Sequence, residues 1–420
     1  MIQKISKNVT LNFIHSKKFK DICISINFLN KGSKKSATER CLLSMMLVDR
    51  CNKYNTKKEM SDMCDHLYGC SLGSRVLTYG KAHCIELRSK IINPVYIHDN
   101  HNIMNDWLNF IQEVIFYPFL VNGEFDDNLF EENKKILYSR IKRKEDEAQS
   151  YTVSKVLDMV KDYPLGIKAR GDLESLEKIT KQDVYNQYLK LINEDQIQIV
   201  VCGDIDEKKF TKQIIEKLYF KERNELLDTY YVVESNDFGK GSEEKNSSQT
   251  NIAILYSTGI SITDDLFPAL KVANGIFGQL PSSFLFQVVR EQHSLCYSIS
   301  SNLISYDGAC IVTTGIEKEN VDQTLQLIDE QLVKCKNGDF SDELLDTTKN
   351  MLVNALLSSL DEMSSIVGYN LGNSILNRNY PIEENIRNVM NVTREDCIKV
   401  FKNIKHMATY VCMNKEDSNE

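Results

Sequence analysis

LYGCSLGSRVLTYGKAHCIELRS, residues 67–89, returns in altered form as HSLCYSISSNLISYDGACIVTTG, residues 293–315. Cys70 and Cys84 stand 14 apart, as do Cys296 and Cys310, and the common offset of 226 also sets Ala82 against Gly308. Self-similarity at a fixed offset means that one supersecondary unit has been used twice. A second echo lies later in each half, where ITKQDVYNQYLK leads to IQIVVCGD and VTREDCIKVFKN leads to MATYVCMN. Both open as helix starts, with Thr180 or Thr393 as N-cap and Asp183 or Asp396 three residues on, in the manner of a capping box. Both end in a strand. The offset here is 213, so loop lengths differ while the order of elements is kept.

A chain of 420 residues is too long for one ordinary core and fits two domains of roughly 200 residues each. Each half reads strand, helix, strand pair, long helices, helix, strand, with amphipathic helices such as 341–360 carrying leucines at near-helical spacing. The fold class is therefore α+β, as a duplication. Between the halves, ESNDFGKGSEEKNSSQTN (234–251) has no apolar periodicity and is rich in Gly, Ser, Asn and charge. It predicts an N-terminal domain over 1–230, a linker over 231–250 and a C-terminal domain over 251–420.

Composition removes several classes of function. With 42% hydrophobic and 26% charged residues and only six prolines, the chain reads as folded. A formal charge of −8 argues against nucleic acid, and the one basic run, Arg140 to Lys144, is followed at once by Glu145, Asp146 and Glu147. The longest apolar run, Leu42 to Val48, is far too short to span a bilayer. Lysines interrupt the amino terminus where a signal peptide needs its apolar core, so a cytoplasmic location is expected, with the twelve cysteines reduced. No CxxC pair occurs.

Arg290 and Tyr297, seven apart, follow an amphipathic run and lead into alternating apolar residues, an arrangement suited to gripping an extended peptide. Their surroundings, ALKVANGIFGQLPSSFLFQVVREQHSLCYSISS (269–301), resemble the C-terminal domain of the M16 (pitrilysin, mitochondrial processing peptidase) family. That family's pattern there is a small-residue helix, a Ser-Ser-x-Leu-Phe type of turn, Arg-Glu, and a Tyr seven after the Arg. The repeat and a strand ending in Gly203-Asp204 also fit, so the resemblance covers nearly the whole chain. It implies two tandem M16-type (LuxS/MPP-like) domains, each an antiparallel-rich sheet packed with helices.

The same resemblance implies an inverted zinc motif, HxxEH, in the first half, in which two imidazoles and a later carboxylate hold Zn²⁺ and the motif Glu handles the proton of the attacking water. No HxxEH occurs in this chain. The matching position is CLLSM, 41–45, with Cys41 and Met45 where histidines would stand and Ser44 where the glutamate would be. The helix DNLFEENKKILYSRIKRK resembles the ligand-bearing helix and puts Arg140 at the third ligand position, with Glu131 and Glu132 available only in a shifted register. No metal is expected in this chain. Among subfamilies it most resembles the YmfF-like bacterial proteins, which accompany an HxxEH-bearing sister and are associated with modification of elongation factor P.

Cys64, His66, Cys70, His83 and Cys84, and the HxxH of 98–101, are the candidates for a substitute metal site. Strand alternation sets His83 and Cys84 on opposite faces, and 98–101 has no third ligand at a useful spacing. The resemblance then implies a non-catalytic subunit of a heterodimeric zinc peptidase, inactive alone, whose Arg290 and Tyr297 act on a peptide held at the partner's HxxEH zinc. Two rivals stay open: a peptide-binding or scaffold protein with no proteolysis, and a self-sufficient peptidase with an atypical site.

Overall fold

The computed structural model describes residues 2–97, 102–222 and 227–415, so the HxxH at 98–101 lies outside the described residues. The first repeat opens with β1 (Ile2–Ser6), β2 (Val9–His15) and β3 (Asp21–Lys31). Helices α1 (Lys34–Asp49) and α2 (Lys57–His66) lead to the hairpin β4 (Ser71–Tyr79) and β5 (Ala82–Ile92). Then come α3 (Ile103–Phe116), a small ribbon of β6 (Leu120–Val121) and β7 (Glu124–Phe125), α4 (Asp127–Asp146), α5 (Ala148–Met159) and α6 (Leu173–Lys178). The repeat closes with α7 (Lys181–Asn193), β8 (Gln196–Gly203) and α8 (Glu207–Lys217).

The second repeat opens with β9 (Lys240–Lys245), β10 (Thr250–Ser257) and α9 (Phe267–Asn274), followed by the hairpin β11 (Cys296–Ile304) and β12 (Ala309–Ile316). Helices α10 (Val321–Asn337), α11 (Asp342–Ser359), α12 (Met363–Ile375), α13 (Ile382–Met390) and α14 (Arg394–Asn403) precede β13 (Lys405–Asn414).

The two main sheets run β1-β2-β8-β3-β5-β4 and β11-β12-β10-β13-β9. They match strand for strand from one edge. In the first, β8 is antiparallel to β3 and parallel to β2; in the second, β13 is antiparallel to β10 and parallel to β9. The echoed hairpins keep one register, with Leu77 opposite Cys84 and Leu303 opposite Cys310. Both capping boxes form, at Thr180 with Asp183 and at Thr393 with Asp396. The fold is the α+β duplication expected from the repeat.

Alternation along the strands explains the layers. On β3, Ile22, Ile24, Ile26 and Phe28 enter a core with Leu42, Leu43, Met46, Trp107 and Phe110, while Ser25 and Asn27 point to the other face. That second face of each sheet also has to be covered. In one unit α12 packs on β8 and β2; in the other α5 packs on β10 and β13, where Val156 and Val160 meet Ala253, Leu255 and Met407.

The compact units are consequently not contiguous. One is Met1–Ile141, Lys168–Thr229 and Ser359–Asn379; the other is Lys142–Ile167, Tyr230–Ser358 and Tyr380–Glu420. A cut at 230 and 251 misses the two exchanged segments, because an amphipathic pattern says that a helix face is buried and not which sheet buries it. The expected linker over 231–250 is also corrected. Val233 is buried and its N–H donates to Asp307 O at 2.9 Å, and Lys240–Lys245 is an edge strand paired with β13. The KGSEEK of β9 hides its strand character because charge on an edge strand is how sheets avoid further pairing. No helix among the described residues is long and apolar enough to cross a membrane.

Candidate functional site

The position where a zinc motif would stand is a packed helix. Helix α1 begins at a capping box between Ser33 and Ser36, and every residue from Ala37 to Leu47 is buried. Cys41 and Met45, four apart, share a face; Cys41 is 5% exposed. Ser44 Oγ donates to Cys41 O at 2.8 Å, and Ser44 O accepts from Ser74 Oγ at 2.6 Å, so the residue is engaged by its own helix and by β4. Burial pushes the Cys41 thiol up to about 12, opposed in part by the charges of Arg170 and Arg140.

The charges felt by the Cys41 thiol are those of Arg170, which the sequence does not single out, and of the exposed Arg140 on α4. Arg170 rides on a tightly fixed loop. Gly171 has φ of +75° and lies so close to Thr38 that a Cβ would fall 1.8 Å from its Oγ1, and the Asp172 N–H donates to that same oxygen at 3.2 Å. A protonated thiol, a thioether, a committed hydroxyl and two guanidinium groups do not fit Zn²⁺, which takes thiolate, imidazole and carboxylate. Nor does a shifted register supply a donor in Glu132, since its carboxylate accepts from Lys57 Nζ at 3.1 Å and from Arg50 at 2.8 Å. Those partners hold its pKa below the usual carboxylate range. Among the described residues no group of three or more His, Cys, Asp or Glu is placed to hold a metal.

His83 belongs to a different network. Buried Arg40 pairs with buried Asp195 at 2.7 Å, donates from Nε to His83 Nδ1 at 3.1 Å and from Nη2 to Phe28 O at 2.8 Å. His83 Nε2 donates to Ala169 O at 2.8 Å, and Asn30 Nδ2 donates to Asp195 Oδ1 at 2.6 Å. Burial, with Arg40's charge beside it, lowers the His83 pKa to about 3, so the ring is neutral. The network ties α1 to β3, β5 and the loop at 169. Cys70 Sγ lies 3.4 Å from Ser89 Oγ, which accepts from Trp107 Nε1 at 2.8 Å, and Cys84 is buried in the sheet.

The connection between the equivalent strands of the second repeat, from β10 to β11, is built in another way. After α9 the backbone takes two π-helical turns, Gly275–Gln279 and Phe286–Gln292. Ser294 has φ of +52°, and the register of β11 against β12 slips between Cys296 and Ile299. That slip sets Tyr297 and Ser298 against the single residue Gly315, a β-bulge. Such irregularities cluster at functional sites because they re-aim side chains that regular elements would hold flat. Gly278 permits the sharp packing, since a Cβ there would lie 2.7 Å from Leu285 and 2.8 Å from Ser301.

Tyr297 stands on the bulge with 85% of its surface exposed, on the outer strand of its sheet. The Arg290 guanidinium stacks on the Phe286 ring, 4.4 Å from its centroid, and pairs with Glu291 at 3.3 Å. Burial raises the Cys296 thiol, and a hydrogen bond with Thr314 and the charge of Arg290 partly counter it. Arg290 lies on the π turn that leads into the strand bearing Tyr297. Exposed His293 ends the π turn, its N–H donating to Val288 O at 3.1 Å. The first repeat also offers a free sheet edge, along β4.

Residues 178–352, which contain Arg290 and Tyr297, match the family described as "Peptidase M16 inactive domain". Over 97% of its length the chain is 29% identical to the "Probable inactive metalloprotease YmfF" of Bacillus subtilis (strain 168), covering 96% of that protein. It is 24% identical, over 69% of this chain and 70% of the other, to the "Uncharacterized zinc protease YmxG" of the same organism. Among solved structures, a conserved protein from Enterococcus faecalis V583 superimposes with a TM-score of 0.92 at 26% identity, covering 100% of this chain and 99% of that one. A peptidase M16 inactive domain from Pseudomonas fluorescens superimposes with a TM-score of 0.80 at 16% identity, covering 99% and 98%, and shares the fold. Over its second half the chain thus resembles the M16 peptidase family, and over nearly its whole length it is similar to a protein described as a probable inactive metalloprotease.

Proposed function

We propose that this chain is the zinc-lacking subunit of a two-chain M16 peptidase, offering Arg290 and Tyr297 to a peptide bound at a partner's HxxEH zinc, with elongation factor P modification as its setting. The observation that supports this reading is the exposed Tyr297, held on a bulged edge strand that follows the turn carrying a stacked Arg290, while the zinc position of the same chain is filled by a packed thiol under the charges of two arginines. The partner's zinc would supply the activated water. This chain's part is to donate from the Tyr297 hydroxyl and the Arg290 guanidinium to the peptide carbonyl oxygen, where negative charge develops as water adds. The outer edges of β11 and β4 have unpaired backbone groups onto which an extended peptide can add as a further strand.

The test is reconstitution. This chain alone should leave an unstructured peptide intact, and cleavage should require both it and an HxxEH-bearing sister of similar length, purified as one complex. A stable complex whose cleavage equals that of the sister alone favours the scaffold reading. Cleavage by this chain alone, abolished by a chelator, favours the self-sufficient one.

A further inference from the structure

Within the unit built on the six-stranded sheet, a cavity of about 670 Å³ opens between the β1-β2-β8 side of the sheet and the end of α12. Two cations, Lys4 and Arg378, line it, and no carboxylate does. This is unusual in a chain whose formal charge is −8.

The glutamine and serine groups inside it have their acceptors engaged by the protein itself. Lys4, Thr10 and Gln198 lie in register across three neighbouring strands. Gln198 Oε1 accepts from Thr10 Oγ1, Gln196 Oε1 accepts from the Leu227 N–H at 3.1 Å, and Ser374 Oγ accepts from Asn12 Nδ2 at 3.2 Å. The acceptors of the two glutamines are thus committed within the protein. The two glutamines then present their Nε2 donors, and the Ser374 hydroxyl can donate; Lys4 and Arg378 add positive charge, and Asn8, Asn377 and Asn379, which both donate and accept, complete the polar lining. Lys4 has no hydrogen-bond or ion-pair partner among the described residues, and Arg378 donates from Nε to Asn373 Oδ1 at 3.4 Å, which orients its fork. A polar, doubly cationic cavity with no carboxylate in its lining, and of a size typical for small ligands, suits an acceptor-rich anion.

We propose that this cavity binds a small molecule carrying a phosphate or carboxylate group, held between Lys4 and Arg378 over the Gln196, Gln198 and Ser374 donors. The site lies on other residues than Arg290 and Tyr297 and does not depend on the peptidase reading. The experiment is calorimetric titration of the full chain with pyrophosphate and, separately, with citrate, at two salt concentrations. At least one should bind saturably at or below about 1 mM, more weakly in high salt. The better of the two names the oxyanion class. Lys4→Gln and Arg378→Gln should each weaken binding roughly tenfold or more, since each removes a charge-assisted contact, and Lys4→Gln, at an exposed residue, should leave the melting temperature unchanged. No saturable binding of either probe, or binding indifferent to Lys4→Gln, would overturn the proposal.

Discussion

The connection between equivalent strands is built in two different ways in the two repeats. Between β3 and β4 the chain runs through a capped α-helix buried over eleven consecutive residues, 37 to 47; between β10 and β11 it runs through two π turns, a left-handed serine and a bulge. In the first, each side chain that could do chemistry is committed: Ser44 to its own helix, Arg40 to Asp195, Cys41 to a packed environment. In the second, Tyr297 is exposed and Arg290 is oriented by stacking. In one copy of the fold the side chains of this connection are packed into the core, and in the other an irregular backbone leaves one of them exposed. Substitutions near α1 should accordingly be read out in stability, and those at 275–298 in function.

The largest stability effect is expected at the Arg40–Asp195 pair. Asp195→Ala leaves a guanidinium buried without its partner and should cost about 3–5 kcal/mol by chemical denaturation, as is typical of breaking a buried pair. Replacing both residues by apolar ones of similar volume should recover most of the loss. Full stability in Asp195→Ala would show that α1 is not anchored by this network.

Gly278→Ala probes the other region. Its Cβ would press on Leu285 and Ser301, and overpacking of this kind costs roughly 1–3 kcal/mol. Because the strain falls on the turn that carries Arg290, partner-dependent cleavage should suffer as well. Cys41→Ala, by contrast, should cost about 1 kcal/mol and change neither metal content nor cleavage, since the thiol is a packed group. Elemental analysis finding stoichiometric zinc that is lost in this variant would reverse the comparison.

The network also predicts a pH dependence. The folded pKa of His83 lies near 3, below the ordinary 6.5, so the neutral ring is favoured in the fold. Its contribution is fully present above about pH 6.5 and is lost as pH falls toward 3. Denaturation midpoints at pH 7 and pH 5 should fall with acidification, and the fall should shrink in His83→Asn. The smallest effect belongs to Glu132→Gln on the exposed face of α4, below about 1 kcal/mol, because surface ion pairs with Arg50 and Lys57 are screened by water.

How much was legible follows from how local each feature is. The hairpin register and the two capping boxes depend on residues within one element or its neighbour, and the offsets of 226 and 213 exposed them directly. Strand β9 was read as linker because KGSEEK is polar on both faces, as an edge can be. The exchange of α5 and α12 could not be read, since Val156 and Val160 mark a buried face and carry no address. Arg170 and Asp195 meet α1 from more than a hundred residues away, and no spacing rule connects them. The π turns leave little trace beyond Gly275 and Gly278, so the pair Arg290 and Tyr297 was found through resemblance and its irregular setting only in three dimensions.

The central claim is that function in this chain rests on Arg290 and Tyr297 acting on a peptide in trans. Its most direct test is turnover by the purified complex with an HxxEH-bearing sister, comparing wild type with Tyr297→Phe, which removes one hydroxyl and keeps the ring. Loss of one preorganised donor at a developing oxyanion costs on the order of 10²–10³ in rate, and that fall, with complex assembly and zinc content unchanged, is the result expected. Turnover at the wild-type rate by an intact Tyr297→Phe complex would contradict the account.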